Sequence, residues 1–379
     1  MAKIARIPIT NVYMGGDYTG RIMVGQKQQP MNVILDTGSS ALALDGTKYK
    51  PDLSAGDQTT DLAQTDSYGD GSSWTGAVIK TELTIGTGGS SVVLQDGNAA
   101  VAYTASSDMF GQTDGILGLA YAPLDDAFTM PANTWTKQYT ATQVRAGTKG
   151  ELTPYLTQLT NEGVTSDKIS FLTRRSFVHE GGGGADDPLN QGWMIVGGGE
   201  ESTDLYTGNF QTVKVLSDDW YSTNLKAVIV GNTDPVVARI QGPKGMPSNS
   251  IVDSGTNSLS ISLQMLKAII SKFSKAQQAQ LNKSALKGKP VPVADLNLQS
   301  WPTMTFVLEG DNGDVSLQVP PSNYWQVDTG SAGQAMAAIT QGEQGLAILG
   351  LPLMNGYFTI FDGEADGGKG VIKFATRKN

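Results

Sequence analysis

The 379-residue chain carries one short pattern twice. An apolar run ends in Asp-Ser/Thr-Gly-Ser/Thr at Asp36 (NVILDTGSS) and again at Asp253 (NSIVDSGTN). Each copy is followed within 80 to 100 residues by the string ILGL, at Ile116–Leu119 and at Ile348–Leu351. The order is the same in both halves, and a glycine-rich stretch, RRSFVHEGGGGADDPLNQG, separates them. Repetition of this kind implies one structural unit used twice, and the period is far too long for a solenoid. The expectation is two similar lobes related by a pseudo-two-fold axis, residues 1–190 and 191–379. The four consecutive glycines between them read as a flexible linker without a core.

The segments between the repeats read mostly as strands. GRIMVG, PMNVILD, GAVIKTELTIG and SSVVLQ occupy the first 120 residues, and GWMIVGG, NFQTVKVL, LKAVIVG, GYFTIFD and GVIKFA follow the linker. Their alternation, together with 46 glycines, points to an all-β chain of short strands and tight turns with a few short helices. One helix is expected where Leu152, Leu156 and Leu159 recur at helical spacing before Gly163. A second is expected where Leu266, Ile269, Ile270 and Phe273 form one face. Residues 122–150 are polar, lack a period and read as a long surface loop.

An aspartate closing an apolar strand is ordinarily a turn starter. Two of them in a duplicated frame offer more. If the lobes pack about their pseudo-axis, Asp36 and Asp253 face one another there. Two carboxylates a few ångströms apart resist ionising together and share a proton, so the pair holds an acid and a base at one pH. Such a pair can deprotonate a water, protonate a carbonyl oxygen and then protonate a leaving amine. The neighbours suit the task. Gly38 and Gly255 let the backbone turn its N–H groups toward the carboxylates. Ser39 and Thr256 can donate to the outer carboxylate oxygens, and Thr37 and Ser254 can point inward and lock the two turns together.

Composition narrows the alternatives. The chain has no cysteine and a single histidine, His179. It therefore holds no disulfide, no thiol nucleophile and no multi-histidine zinc site. A Ser-His-Asp triad would rest on His179 alone, which stands beside the glycine run and reads as a solvated loop residue. A net charge of −9 and a pI near 4.7 argue against nucleic acid as a partner. No run approaches the ~20 apolar residues of a membrane span. The N-terminus, MAKIARIPIT, lacks the apolar core of a signal peptide. The expectation is a cytoplasmic protein, or a periplasmic or secreted one if the chain is a processed or truncated form. No metal and no cofactor are called for.

The combination resembles the pepsin-like family of aspartic endopeptidases over nearly the whole chain. Besides ILDTGSS and IVDSGT, the resemblance rests on YGDGSSWTG at 68–76, DGILGLAY at 114–121 and AILGLPLMNGYFTIFD at 347–362. It implies a bilobal all-β fold with an interlobe cleft, catalytic residues Asp36 and Asp253, and supporting loops at Thr37, Gly38, Ser39, Ser254, Gly255 and Thr256. It implies a flap whose Tyr68 closes over substrate and whose backbone at Gly69 and Asp70 binds it. Ile116 is expected to reach the cleft, with Met109 and Phe110 as further wall residues and Trp220 and Tyr221 opposite. Implied too are peptide or protein substrates cleaved between bulky apolar residues at acid pH, sensitivity to statine-type inhibitors such as pepstatin, and a monomer. The absence of cysteine, with the expectation of no basic prosegment, resembles homologues found in bacteria.

Three features depart from the family pattern. Ala43 stands where the family often has the tryptophan that partners the flap tyrosine. Trp74, inside the flap, is either a replacement for it or simply packing, and packing is the expectation. The expectation is a chain without a prosegment before its first strand. Ser254 stands where threonine is frequent, which keeps the hydroxyl. Two other readings stand beside the endopeptidase. A catalytically silent pepsin-fold module could bind or inhibit other proteins, since a fold does not fix a function. A carboxylate-pair glycosidase also uses two acids, but gives them unlike surroundings.

Overall fold

The computed structural model describes residues 2–239, 242 and 247–378. The chain forms two compact units. One comprises Met1–Ile9, Thr19–Lys168 and Met194–Gly198, and the other Thr10–Tyr18, Ile169–Trp193 and Gly199–Asn379. Both are built mainly of strands, as the all-β reading requires, with short helices between them.

In the first unit the longest ladder joins Ser73–Ile85 to Val92–Ala105, antiparallel from Trp74↔Ala105 to Ile85↔Val92. The other edge of this ladder's first strand pairs with Gln58–Ser67, forming a hairpin. Burial runs along most of the strand the two pairings share. In Ser73–Ile85, Ala77, Val78, Ile79, Leu83 and Ile85 are buried while Lys80 is exposed. The Gln29–Asp36 strand runs parallel to Gly115–Gly118. Leu42–Asp45 returns antiparallel to that same Gly115–Gly118 strand. The ILGL string is thus enclosed on both edges, which explains why it carries no polar side chain.

The second unit repeats this arrangement. Ser250–Val252 runs parallel to Ala347–Leu349, and Leu259–Ser262 pairs antiparallel with it. Around this core, Met304–Gly310 turns back on Gly313–Val319 and Tyr357–Asp362 on Val371–Arg377. The helix Leu263–Ile270 buries Met265, Leu266, Ile269 and Ile270, starting at a Ser262 cap on the Met265 N–H. Phe273 lies just past its end and is buried against Trp301 and Tyr324.

Two local expectations are corrected, and one helix is found where no element was expected. Residues 122–150 are not a bare loop. Asp126–Thr129 and Thr148–Glu151 pair as antiparallel strands, and Asp126–Thr129 also pairs with Gln58–Ser67. A helix, Ala141–Arg145, starts at a capping box between Thr140 and Gln143. Phe128, Met130, Tyr139 and Val144 form a small core with Ala63. Both strands are short, and Thr148–Glu151 is exposed along its whole length, so it carries no apolar alternation. Second, Lys275–Ser284 is a helix that apolar periodicity does not announce. It buries only Leu281 and Ser284, so its pattern is faint, although its Ser274–Gln277 capping box is legible.

Third, the glycine-rich segment is anchored rather than free. Its glycines at 181–184 are exposed, but Asp187 and Asn190 just beyond them are buried. The Asn190 amide donates to the carbonyls of His179 and Gly184, and its oxygen accepts from the His179 N–H. The Ser176 N–H donates to the Gln326 side chain, and Arg175 reaches the carbonyls of Phe177 and Val327. His179 is not a solvated histidine. Its Nδ1 lies 2.6 Å from Asp187 Oδ2, and its side chain is 18% exposed.

Candidate active site

Asp36 ends its strand with its side chain buried, and the next residues turn back on it. The Gly38 N–H donates to Asp36 Oδ1 at 2.7 Å, and the Ser39 hydroxyl donates to Oδ2 at 2.5 Å. In the second unit Asp253 receives the same pair of donors. The Gly255 N–H donates to its Oδ1 at 2.8 Å, and the Thr256 hydroxyl to its Oδ2 at 2.6 Å. Both aspartates are buried, at 5% and 6% exposure. A buried carboxylate is costly unless hydrogen-bonded, and here each has a bond to each oxygen. Thr37 and Ser254 are buried as well.

The turns are held by equivalent backbone contacts. The Ala120 N–H donates to the Ser39 carbonyl and the Gly118 N–H to that of Ala41. In the second unit the Leu351 N–H donates to the Thr256 carbonyl and the Gly350 N–H to that of Ser258. The glycine of each ILGL string is required by space. A Cβ at Gly118 would lie 2.4 Å from the Ser40 carbonyl carbon, and one at Gly350 would lie 2.1 Å from the Thr256 oxygen. The two strings therefore do the same work: they press against the turn that carries the acid.

The hairpin Gln58–Ser67/Ser73–Ile85 carries the flap sequence at its tip. The Tyr68 N–H donates to the Ser72 carbonyl, and the Gly71 N–H to that of Tyr68. The Asp70 carboxylate accepts from the Ser72 N–H, and Gly71 sits at φ +88°, a conformation that favours glycine. Gly69 and Asp70 are at the tip and exposed, and Tyr68 is half-buried. Burial raises the Tyr68 phenol well above its ordinary value. The charges of Asp66 and Asp36 push the same way, and hydrogen bonding with Trp74 and Ser39 opposes them. The phenol is therefore a neutral hydrogen-bonding group throughout the working pH range.

Trp74 does more than pack. Its indole Nε1–H donates to the Tyr68 hydroxyl at 3.2 Å, while its ring is almost wholly buried. Ala43, which stands where the family often has a tryptophan, is itself enclosed between Ile116 and Ala100 on the flanking strands. The sequence places Trp74 in the flap but cannot show which way its ring turns.

The outer candidates fall differently. Ile116 is buried, opposite Ile34 on the parallel strand and Ala43 on the antiparallel one. Met109 and Phe110 are buried too. Tyr221 is a core residue of the second unit rather than a wall residue. It is buried with its ring centroid 4.6 Å from that of Phe361, whereas Trp220 is half-buried. In the first unit, grooves of about 550 and 510 Å³ run along Thr129–Pro131 and along Ser73–Thr75 respectively; Asp36 and Tyr68 line neither. Among the described residues no group of three or more His, Cys, Asp or Glu side chains could hold a metal. No helix among them is long and apolar enough to cross a membrane.

A family profile described as eukaryotic aspartyl protease matches residues 17–144 and 186–375. Gastricsin of Mus musculus is 25% identical over 364 residues, which span 92% of this chain and 79% of the relative. Pepsin B of Canis lupus familiaris is 26% identical over 388 residues, spanning 95% and 82%. Gastricsin of Homo sapiens is 23% identical over 364 residues, spanning 92% and 80%.

Proposed function

The chain belongs to the eukaryotic aspartyl protease family and is an aspartic endopeptidase; from that premise we propose that Asp36 and Asp253 are its catalytic pair and that a water held between them attacks the peptide carbonyl. The single observation that carries this reading is the equivalence of the two acids, each with a glycine N–H on one oxygen and a hydroxyl on the other.

The chemistry follows from one shared proton. The ionised member takes a proton from water as its oxygen attacks the carbonyl carbon. The protonated member gives its proton to the carbonyl oxygen, leaving a neutral tetrahedral diol. Collapse returns a proton from the diol and delivers another to the leaving nitrogen. The Ser39 and Thr256 hydroxyls each hold one oxygen of their carboxyl, and cleavage is favoured at acid pH. Tyr68 and the backbone at Gly69 and Asp70 lie over the bound peptide. Peptides with bulky apolar residues on both sides of the scissile bond are the preferred substrates, statine-type compounds inhibit, and the working form is a monomer.

The test is hydrolysis of an apolar peptide from pH 3 to 7, with and without pepstatin. The expected result is acid-favoured cleavage, inhibited by pepstatin and reduced at least ~10²-fold in Asp253→Ala. Cleavage that survives the substitution, or none at any pH, overturns the assignment.

A further inference from the structure

Below the flap tip, its first strand is tied to the loop that leaves the ILGL string. The buried Gln64 amide donates to Asp125 Oδ1 at 2.7 Å and to the Asp126 carbonyl at 3.2 Å. Asp125 is buried as well. Its backbone is fixed on both sides, with its N–H on the Ala122 carbonyl and its carbonyl accepting from Leu152. Two residues further along the strand and on the same face of the hairpin as Gln64 lies Asp66, whose cross-strand partner is Trp74. A continuous path therefore runs from Asp36 through the ILGL strand to Asp125, across to Gln64, and up the flap strand to Tyr68.

The surroundings of Asp125 are acidic. Asp66 faces it from the flap strand and Asp126 from the next strand, and both charges act on it. Asp126 Oδ2 pairs with the exposed Lys149, and Asp126 Oδ1 is buried without a partner among the described residues. Glu151 lies opposite Asp126 in the ladder, and Arg145 acts on Asp66 from the short helix. Among the described residues no cation is paired with Asp125 itself. Burial first, then the charges of Asp66 and Asp126, hold its carboxyl up at about 7, with the Gln64 hydrogen bond opposing them.

We propose that Asp125 and Gln64 form a positioning pair for the flap that holds only while Asp125 keeps its proton. The inference rests on the reading of Tyr68 as the residue that closes over substrate. Loss of the proton to water leaves a buried charge beside two like charges. The least costly relief is local opening of the segment toward solvent, which releases Gln64 and loosens the flap strand. The carboxyl is raised in the folded state, so the folded chain binds more protons than the unfolded one between the ordinary aspartate range and neutrality. Its contribution therefore favours the closed state at acid pH and is lost as pH rises through about 7.

Asp125→Asn keeps the acceptor oxygen and removes the titration. Amide exchange of peptides covering residues 58–75, corrected for chemical exchange, is to be measured at pH 5 and pH 8 in the Asp253→Ala background, so that catalysis plays no part. With Asp125 intact, the expected result is a rise of about tenfold at pH 8; with Asp125→Asn added, the rise is expected to be less than half as large. In the active enzyme, the ratio of kcat/KM at pH 7.5 to that at pH 5 is expected to be several-fold higher for Asp125→Asn than for the parent. Gln64→Leu, which breaks the tie at every pH, is expected to speed flap exchange at pH 5 and to raise KM more than it lowers kcat. Equal pH-dependent rises with and without Asp125→Asn, or unchanged exchange in Gln64→Leu, overturn the proposal. Should peptide hydrolysis be absent while the exchange difference holds, the catalytic reading fails and the flap tie stands.

Discussion

At the scale of single residues, the site is set by where a side chain is forbidden as much as by where one is present. Gly118 and Gly350 press on the two aspartate turns, and a methyl group at either would overlap backbone atoms that have no room to move. Gly118→Ala and Gly350→Ala are each expected to lower stability by ~1–3 kcal/mol, read from the denaturant midpoint. A second single-residue effect is remote from the acids. Burial works to raise the Asp187 carboxyl, but the His179 hydrogen bond, the Leu189 N–H and the charges of His179 and Arg175 outweigh it and hold the group below its ordinary value. A lowered carboxyl contributes stability above the ordinary aspartate range and loses it as pH falls through the folded value. Asp187→Asn should therefore lower the thermal midpoint at pH 6 by the equivalent of about 1 kcal/mol or less. The difference should shrink as pH falls below the ordinary aspartate range.

At the scale of elements, the flap shows what a sequence can and cannot carry. The Tyr-Gly-x-Gly-Ser tip is legible because a tight turn needs glycine at Gly71 and an Asx contact at Asp70, and both are local chemistry. The partner of Tyr68 is not legible, because indole direction depends on the ladder that places Trp74 opposite Asp66. Trp74→Phe keeps most of the ring and removes only the donor. It is expected to lower kcat/KM by about two- to tenfold, the worth of one hydrogen bond of ~0.5–1.5 kcal/mol, with the larger part in KM. The strands Asp126–Thr129 and Thr148–Glu151 are opaque for a related reason. All four residues of the latter are exposed, so no alternation marks it, and it exists by pairing with an edge that is itself defined only in three dimensions.

At the scale of the whole molecule, duplication is what makes the chain readable. A lone Asp-Thr-Gly would be an ordinary turn; two of them, each followed in order by ILGL, require two units of like construction. The structure bears out that likeness down to the donors on each carboxylate and the strand order around each string. Without cysteine, each unit is held by strand pairing and an apolar core, so reductant is expected to leave thermal unfolding unchanged. The glycine run misleads for the opposite reason. Its composition speaks of freedom, while the residues that fix it, Asn190, Asp187 and Gln326, lie up to 150 positions away from the groups they hold.

The most direct measurement is the turnover of one apolar peptide by Asp36→Asn, Asp253→Asn and the double variant, beside the parent at its best pH. Two acids that share one proton act as a unit, and the losses of residues that act as a unit do not add. The expected result is a fall of at least ~10²-fold in kcat for each single variant, with the double variant no worse than either. A single variant that keeps most of its activity, or a double variant whose loss is the product of the two single losses, would contradict the account.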